Sequence, residues 1–146
     1  MSGIGRERIL GMIPHAGAMC LLDEVLSWDK DSVRCLSRRY RQADNPLRRA
    51  DGTLGAACGI EIAAQAMAVH GRLTAARGGE PVPGYLVSLR DVRLEAALLE
   101  RAAGPLIIGA RLLVGDDSGA SYEFAVTAEG VTWLSGRATV LFGAGR

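Results

Sequence analysis

The chain has 146 residues, 49% of them hydrophobic, and carries 17 basic against 16 acidic side chains for a formal charge of +1. That length suits a single domain with a proper core spanning 1–146, and the balanced charge excludes a general nucleic-acid binder, which needs a strong basic excess. Cysteines at positions 20, 35 and 58 are odd in number and lack C-x-x-C spacing, so neither a disulfide framework nor a zinc site is indicated. The opening MSGIGRERIL has no apolar stretch of signal-peptide length, and no later run reaches the roughly 18 to 20 apolar residues of a membrane helix. The expectation is a reduced cytoplasmic protein with no membrane insertion and no metal.

Residues 6–13 carry Ile9, Leu10 and Ile13 at helical spacing and stop at Pro14, which predicts a short amphipathic helix. Residues 19–28 and 31–40 read as two strands around an Asp29-Lys30 turn. Residues 41–54 follow neither period and contain Asn45-Pro46 and Asp51-Gly52, so they form a loop long enough to suspect a role. A long helix then runs from 55 to about 77, ended by Gly78-Gly79, with Pro81 and Pro83 preventing a restart. Strands follow at 85–95, 106–114, 120–128 and 131–142. In the third of these Tyr122, Phe124, Val126 and Ala128 share one face. Gly115 to Gly119 and Glu129-Gly130 supply hairpin connections. The order predicts an α+β fold in which a curved antiparallel sheet buries one long central helix, with sheet edges that dimerisation would cover.

The helix holds the most informative residue. Within GAACGIEIAAQAMAV only Glu61 and Gln65 are polar, and at about 100° per residue they share one edge with Cys58, opposite His70. A buried, unpaired carboxylate costs several kcal/mol or takes up a proton, and either outcome suits acid–base chemistry. The alternative is a carboxylate held by Gln65 and helix-terminal amides, or one that reaches solvent past a short loop, and a buried glutamine commonly does no more than satisfy backbone groups or a neighbour. Arg34, Arg38, Arg39, Arg41, Arg48 and Arg49 crowd into sixteen residues, either as a solvated face or as a landing site for an acidic partner.

Several segments resemble one family. Ile9-Leu10-Gly11-Met12-Ile13-Pro14-His15 followed by Met19 to Leu26 is similar to the N-terminal stretch of hotdog-fold 3-hydroxyacyl-[acyl-carrier-protein] dehydratases. Glu61-Ile62-Ala63-Ala64-Gln65-Ala66 resembles their helix motif E-A-L-A-Q-A, and Tyr85 and Arg93 stand at the spacing of a tyrosine and an arginine on the next strand. Ala50-Asp51-Gly52-Thr53-Leu54, Gly59-Ile60-Glu61 and Ser121-Tyr122-Glu123 are similar to the subgroup associated with aryl-polyene gene clusters.

The resemblance implies a hotdog fold and removal of water from a 3-hydroxyacyl thioester to give a trans-2-enoyl product. The substrate would ride on the phosphopantetheine of an acyl carrier protein, with no further cofactor. Glu61 would act as the acid on the departing hydroxyl, and Gln65 would orient it. The helix start at Gly55, Ala56, Ala57 and Cys58 would offer amides to the thioester oxygen. Arg38, Arg39, Arg48 and Arg49 would attract an acidic carrier.

One departure stands out. Family members carry a catalytic histidine in an H-F-P-G loop, and the equivalent position, fourteen residues before Glu61, is Leu47. Three readings follow: a heterodimer in which a second hotdog protein supplies the histidine, a homodimer using Glu61 with His15 or Asp51, or a structural subunit without catalysis. His15 and His70 also read as purely structural residues, and Cys58 as a small apolar filler. A hotdog thioesterase, which sets a carboxylate against a thioester near a helix N-terminus, is the remaining alternative.

Overall fold

Alternating burial along β6 (Gly119–Ala128) defines the architecture: Tyr122, Phe124, Val126 and Ala128 are buried on one side while Ser121, Glu123, Ala125 and Thr127 face outward. The computed structural model describes residues 2–13, 17–74, 84–95, 98–116 and 118–142. Among these described residues, seven strands form one antiparallel sheet: β1 (Ser2–Gly5), β2 (Glu24–Trp28), β3 (Ser32–Ser37), β4 (Gly84–Leu94), β5 (Leu106–Gly115), β6 and β7 (Val131–Phe142). Their spatial order is β1-β2-β3-β5-β6-β7-β4, which leaves β1 and β4 at the edges. A five-residue helix α1 (Arg6–Leu10) follows β1, and the 17-residue helix α2 (Cys58–Thr74) lies against the inner face, touching β3, β5, β6 and β7. This is the hotdog arrangement expected from the sequence.

The turns are made by the residues that the sequence marks. Glu129 and Gly130 both have positive φ, 49° and 79°, the mirror-image turn that matches strand twist in a two-residue hairpin. Asp29 Oδ1 accepts hydrogen bonds from the amides of Asp31 and Ser32, both at 2.8 Å, and closes the β2–β3 connection. Asp116 does the same for Ser118 and Gly119.

Several boundaries differ from expectation, each for a tertiary reason. Strand β1 is absent from the sequence reading because Gly3 and Gly5 leave only Ile4 to mark it; pairing with β2 forms it. The predicted strand 19–28 shortens to Glu24–Trp28, because the chain before it gives its backbone groups to side chains. Arg6 donates to the carbonyls of Gly17, Cys20 and Leu22, and Ser37 Oγ donates to that of Leu21. The strand expected over 31–40 stops at Ser37, where a 3-10 turn at Arg39–Arg41 begins. There the Asp23 carboxylate accepts from the amides of Arg38 and Arg39. The first helix ends at Leu10 instead of Ile13, and α2 begins at Cys58 instead of Gly55. Positions 75–77 of the predicted helix, and Gly78, Gly79, Pro81 and Pro83, lie outside the described residues.

His70 is fully buried on α2 and joins three elements. A carbonyl can only accept, so Nε2 donates to Asp29 O at 2.9 Å, and Nδ1 accepts from the Tyr122 hydroxyl at 2.7 Å. Burial holds its pKa below the ordinary 6.5, against the upward pull of the Asp29 carbonyl. The unfolded chain takes up that proton at the ordinary value while the native chain resists it. His70 therefore contributes stability that is complete above about pH 6.5 and declines as pH falls below it. Urea unfolding at about pH 7.5 and about pH 5.5 should show lower stability at the acid pH. His70→Gln should lower stability at both and shrink the difference between them. Equal stability of the wild type at the two pH values would refute this role.

Candidate active site

The site is organised by the N-terminal half of α2. A residue in place of Gly59 would push its Cβ into Leu134 of β7, so helix and sheet approach closely here. The first helical amides, Cys58, Gly59 and Ile60, bond to the carbonyls of Gly55, Ala56 and Ala57 at 2.9 to 3.0 Å. The donor expected at Cys58 is thus committed inside the chain. Gly55 and Ala56 are buried, whereas Ala57 is exposed. A side chain at Gly55 would collide with the Arg49 guanidinium, which covers that turn.

Glu61 lies in the first turn of α2, where the positive end of the helix dipole favours an anion by about 0.3–1 kcal/mol. It is half-buried and has an interaction partner, so the expectation of an enclosed, unpaired carboxylate is corrected. The fully buried polar side chains of the helix are Gln65 and His70. Gln65 spends both ends on the preceding strap: its oxygen accepts from Leu21 N at 2.9 Å and its amide donates to Met19 O at 2.8 Å. That binds the strap to α2, one turn beyond Glu61. His15 lies outside the described residues.

Cys58 is buried beside Asn45, whose Nδ2 sits 3.9 Å from the sulfur. Burial is the main cause that pushes the Cys58 thiol up to about 11, and the negative charge of Glu61 adds to it. A thiol so held is a packing group and not a nucleophile.

The loop over 41–54 is ordered from within. Asn45, 4% exposed, donates to Tyr40 O at 2.9 Å and accepts from Leu47 N at 2.9 Å. Arg48 donates to the carbonyls of Arg41, Gln42 and Gly52 at 2.6, 2.9 and 2.9 Å. Leu47, where the family histidine would stand, packs half-buried against the core. Asp51 is exposed and accepts from Thr53 N and Oγ1. Sequence reasoning took Asn45-Pro46 as a turn only and missed its buried amide; an asparagine before proline and Leu47 in an otherwise charged loop was the available signal.

The arginine cluster divides on folding. Arg39 pairs with Asp23 at 3.2 Å and Arg48 is the loop's internal staple, while Arg38 and Arg49 are exposed. Among the described residues there is no group of three or more His, Cys, Asp or Glu that would hold a metal ion, and all three cysteines are free and buried.

Comparison with known proteins adds the following. The family profile described as ApeP-like, ApeP dehydratase, matches residues 7–143. No curated protein matches the chain significantly. Among solved structures, the dehydratase heterocomplex ApeI:P from Xenorhabdus doucetiae superposes with a TM-score of 0.81 at 24% identity, over 92% of this chain and 90% of that one. A thioesterase of Pseudomonas aeruginosa superposes at 0.61 with 12% identity, over 86% and 84% of the two chains. A sigma28-regulated virulence protein of Campylobacter jejuni gives 0.63 at 11%, over 93% and 88%.

Replacing Gln65 by leucine keeps the volume but strands the Leu21 amide and the Met19 carbonyl. Each unpaired group should cost about 1–3 kcal/mol, read as a lower midpoint in urea unfolding. An unchanged midpoint would show that the strap is held by other means.

Proposed function

We propose that this chain, which belongs to the ApeP-like dehydratase family, supplies the glutamate half of a composite active site completed by a second hotdog protein. Membership makes it a hotdog-fold hydro-lyase that acts on acyl thioesters in aryl-polyene and fatty-acid biosynthesis. The observation that carries the composite reading is the pairing of Glu61, present at the start of α2, with Leu47 where a histidine would act. The fold-level likeness to a dehydratase heterocomplex supports it.

In this reading the substrate is a 3-hydroxyacyl thioester on the phosphopantetheine arm of an acyl carrier protein, in the cytoplasm. The partner's histidine takes the proton from the carbon next to the thioester. Electrons from that C–H bond form the new C2–C3 double bond, and the C3–O bond breaks as Glu61 gives its proton to the departing hydroxyl, which leaves as water. Negative charge that develops on the thioester oxygen is met by the N-terminal end of α2, where the exposed Ala57 amide is the candidate donor.

The seam for the second chain is edge strand β4. It is eleven residues long and exposes Leu86, Val87, Leu89 and Leu94. A long apolar edge is a template for a further strand, so pairing there covers it.

Glu61→Gln should lower turnover of a 3-hydroxyacyl thioester by about two to four orders of magnitude while the fold is retained, measured with the histidine-bearing partner present. Turnover at the wild-type rate would remove Glu61 from the chemistry. The purified chain alone should be inactive and gain activity on mixing with a hotdog protein containing H-F-P-G. Full activity of the chain alone would overturn the composite site.

A further inference from the structure

The outward face of the sheet collects positive charge that the chain as a whole lacks. Cross-strand register sets Arg34 beside Gly109, then Ala125, Ser135 and Arg93 in one row. The neighbouring row runs Arg111, Glu123, Arg137 and Arg90. All five arginines are exposed. The acids among them are Glu123, paired with Arg111 at 2.9 Å, and Asp91, carried in a bulge of β4 with φ of 53°. Within these two rows and the β4 bulge, five cations thus meet two anions in a chain whose total is +1. Small residues at Gly109, Ala125 and Ser135 lower the floor of the first row between Arg34 and Arg93, leaving a trough of about 550 Å³ edged by Arg93, Arg137 and Asp91.

We propose that this face docks the acidic carrier protein that bears the acyl thioester. The inference rests on the dehydratase reading above and moves the carrier's landing site away from the loop arginines, two of which are spent inside the fold. Arginine suits the role because its planar fork meets carboxylates with two parallel hydrogen bonds. The pattern is mixed, and that selects the partner. Glu123 and Asp91 repel an unbroken phosphate backbone, whereas a folded acidic surface with its own scattered cations matches both signs and is held in one register. Exposed ion pairs are individually weak and screened by salt, so docking is fast and reversible, as a carrier that leaves after each turnover requires. Arg90 and Arg93 bring the face to the β4 edge, where the second hotdog chain would join.

The test uses the chain with its histidine-bearing partner and two substrates sharing one acyl group, one on holo acyl carrier protein and one on free pantetheine. Combining Arg34→Ser, Arg111→Ser and Arg137→Ser, all away from the β4 seam, should raise KM for the carrier-bound substrate by about tenfold or more, flatten its salt dependence and leave kcat/KM for the pantetheine thioester unchanged. An unchanged KM for the carrier, or equal losses on both substrates, overturns the proposal. Tighter binding of a DNA duplex than of the carrier, lost in the triple variant, overturns it in favour of a nucleic-acid surface. Thermal melting checks the fold, and the three single variants keep the test open if the triple one unfolds. Failure of the wild-type complex to turn over either substrate refutes the dehydratase reading instead. Calorimetric titration of carrier into wild type and variant then still decides the face.

Discussion

A helix enclosed by its own sheet has to give every buried polar side chain a specific partner, and this constraint organises the molecule. Three positions on α2 do so, each with a different segment. Cys58 meets Asn45 of the long loop, Gln65 holds the strap at Met19 and Leu21, and His70 ties the β2–β3 turn to Tyr122. A shift of α2 by one residue would strand all of these groups at once, and each buried orphan costs about 1–3 kcal/mol. Apolar packing drives the helix inward, but it is non-directional. The polar set fixes rotation and register, and with them the place of Glu61 at the rim of the enclosed region.

Elements whose signal is local could be read from the chain. The alternation of Tyr122 to Ala128, the Glu129-Gly130 turn and the apolar run of α2 are properties of neighbouring residues, and each is realised. The misread parts are those in which distant groups satisfy the backbone. Residues 20–23 have strand-like side chains, yet Arg6, Ser37 and Gln65 occupy their hydrogen-bonding groups from up to 44 positions away. The start of α2 moved for a related reason, since Leu54 O is taken by Leu99 N at 2.8 Å before the helix begins. For the site, the place of Glu61 on α2 was legible and its degree of burial was not, because exposure depends on what the loop and strap leave uncovered. The arginine cluster misled through proximity in sequence: charge at Arg48 and Arg39 is satisfied internally, whereas the concentrated exposed charge comes from residues up to 103 positions apart that only sheet register brings together.

The loop before α2 shows how a scaffold persists without one of its chemical groups. A fourteen-residue connection with little regular structure would ordinarily sample many conformations, at about 1–2 kcal/mol per residue to order. Here Arg48 gathers three carbonyls and Asn45 closes its own turn while reaching Tyr40 and Cys58. Those bonds keep the loop against the helix start with an apolar side chain, Leu47, facing inward. A leucine accepts no proton, so under the proposed function proton abstraction falls to another chain.

Under the proposed function, two faces of one sheet carry two unlike tasks. The inner face needs an apolar, water-poor surround, because proton transfer and stabilisation of a thioester oxygen are strongest where the dielectric is low. The outer face can hold exposed arginines only because they stay solvated; placed on the inner face, the same five charges would each lose several kcal/mol of hydration. Strict two-residue alternation makes the separation possible within single strands: in β6, Glu123 points outward between Tyr122 and Phe124, which point inward. The bulge at Asp91 lets β4 depart from that alternation at the edge, bringing Arg90 and Arg93 onto the same side although three positions separate them. A regular strand would have turned one of them toward the helix. The irregularity in β4 is therefore what keeps the cationic surface continuous up to the seam where a second chain would add its own strand.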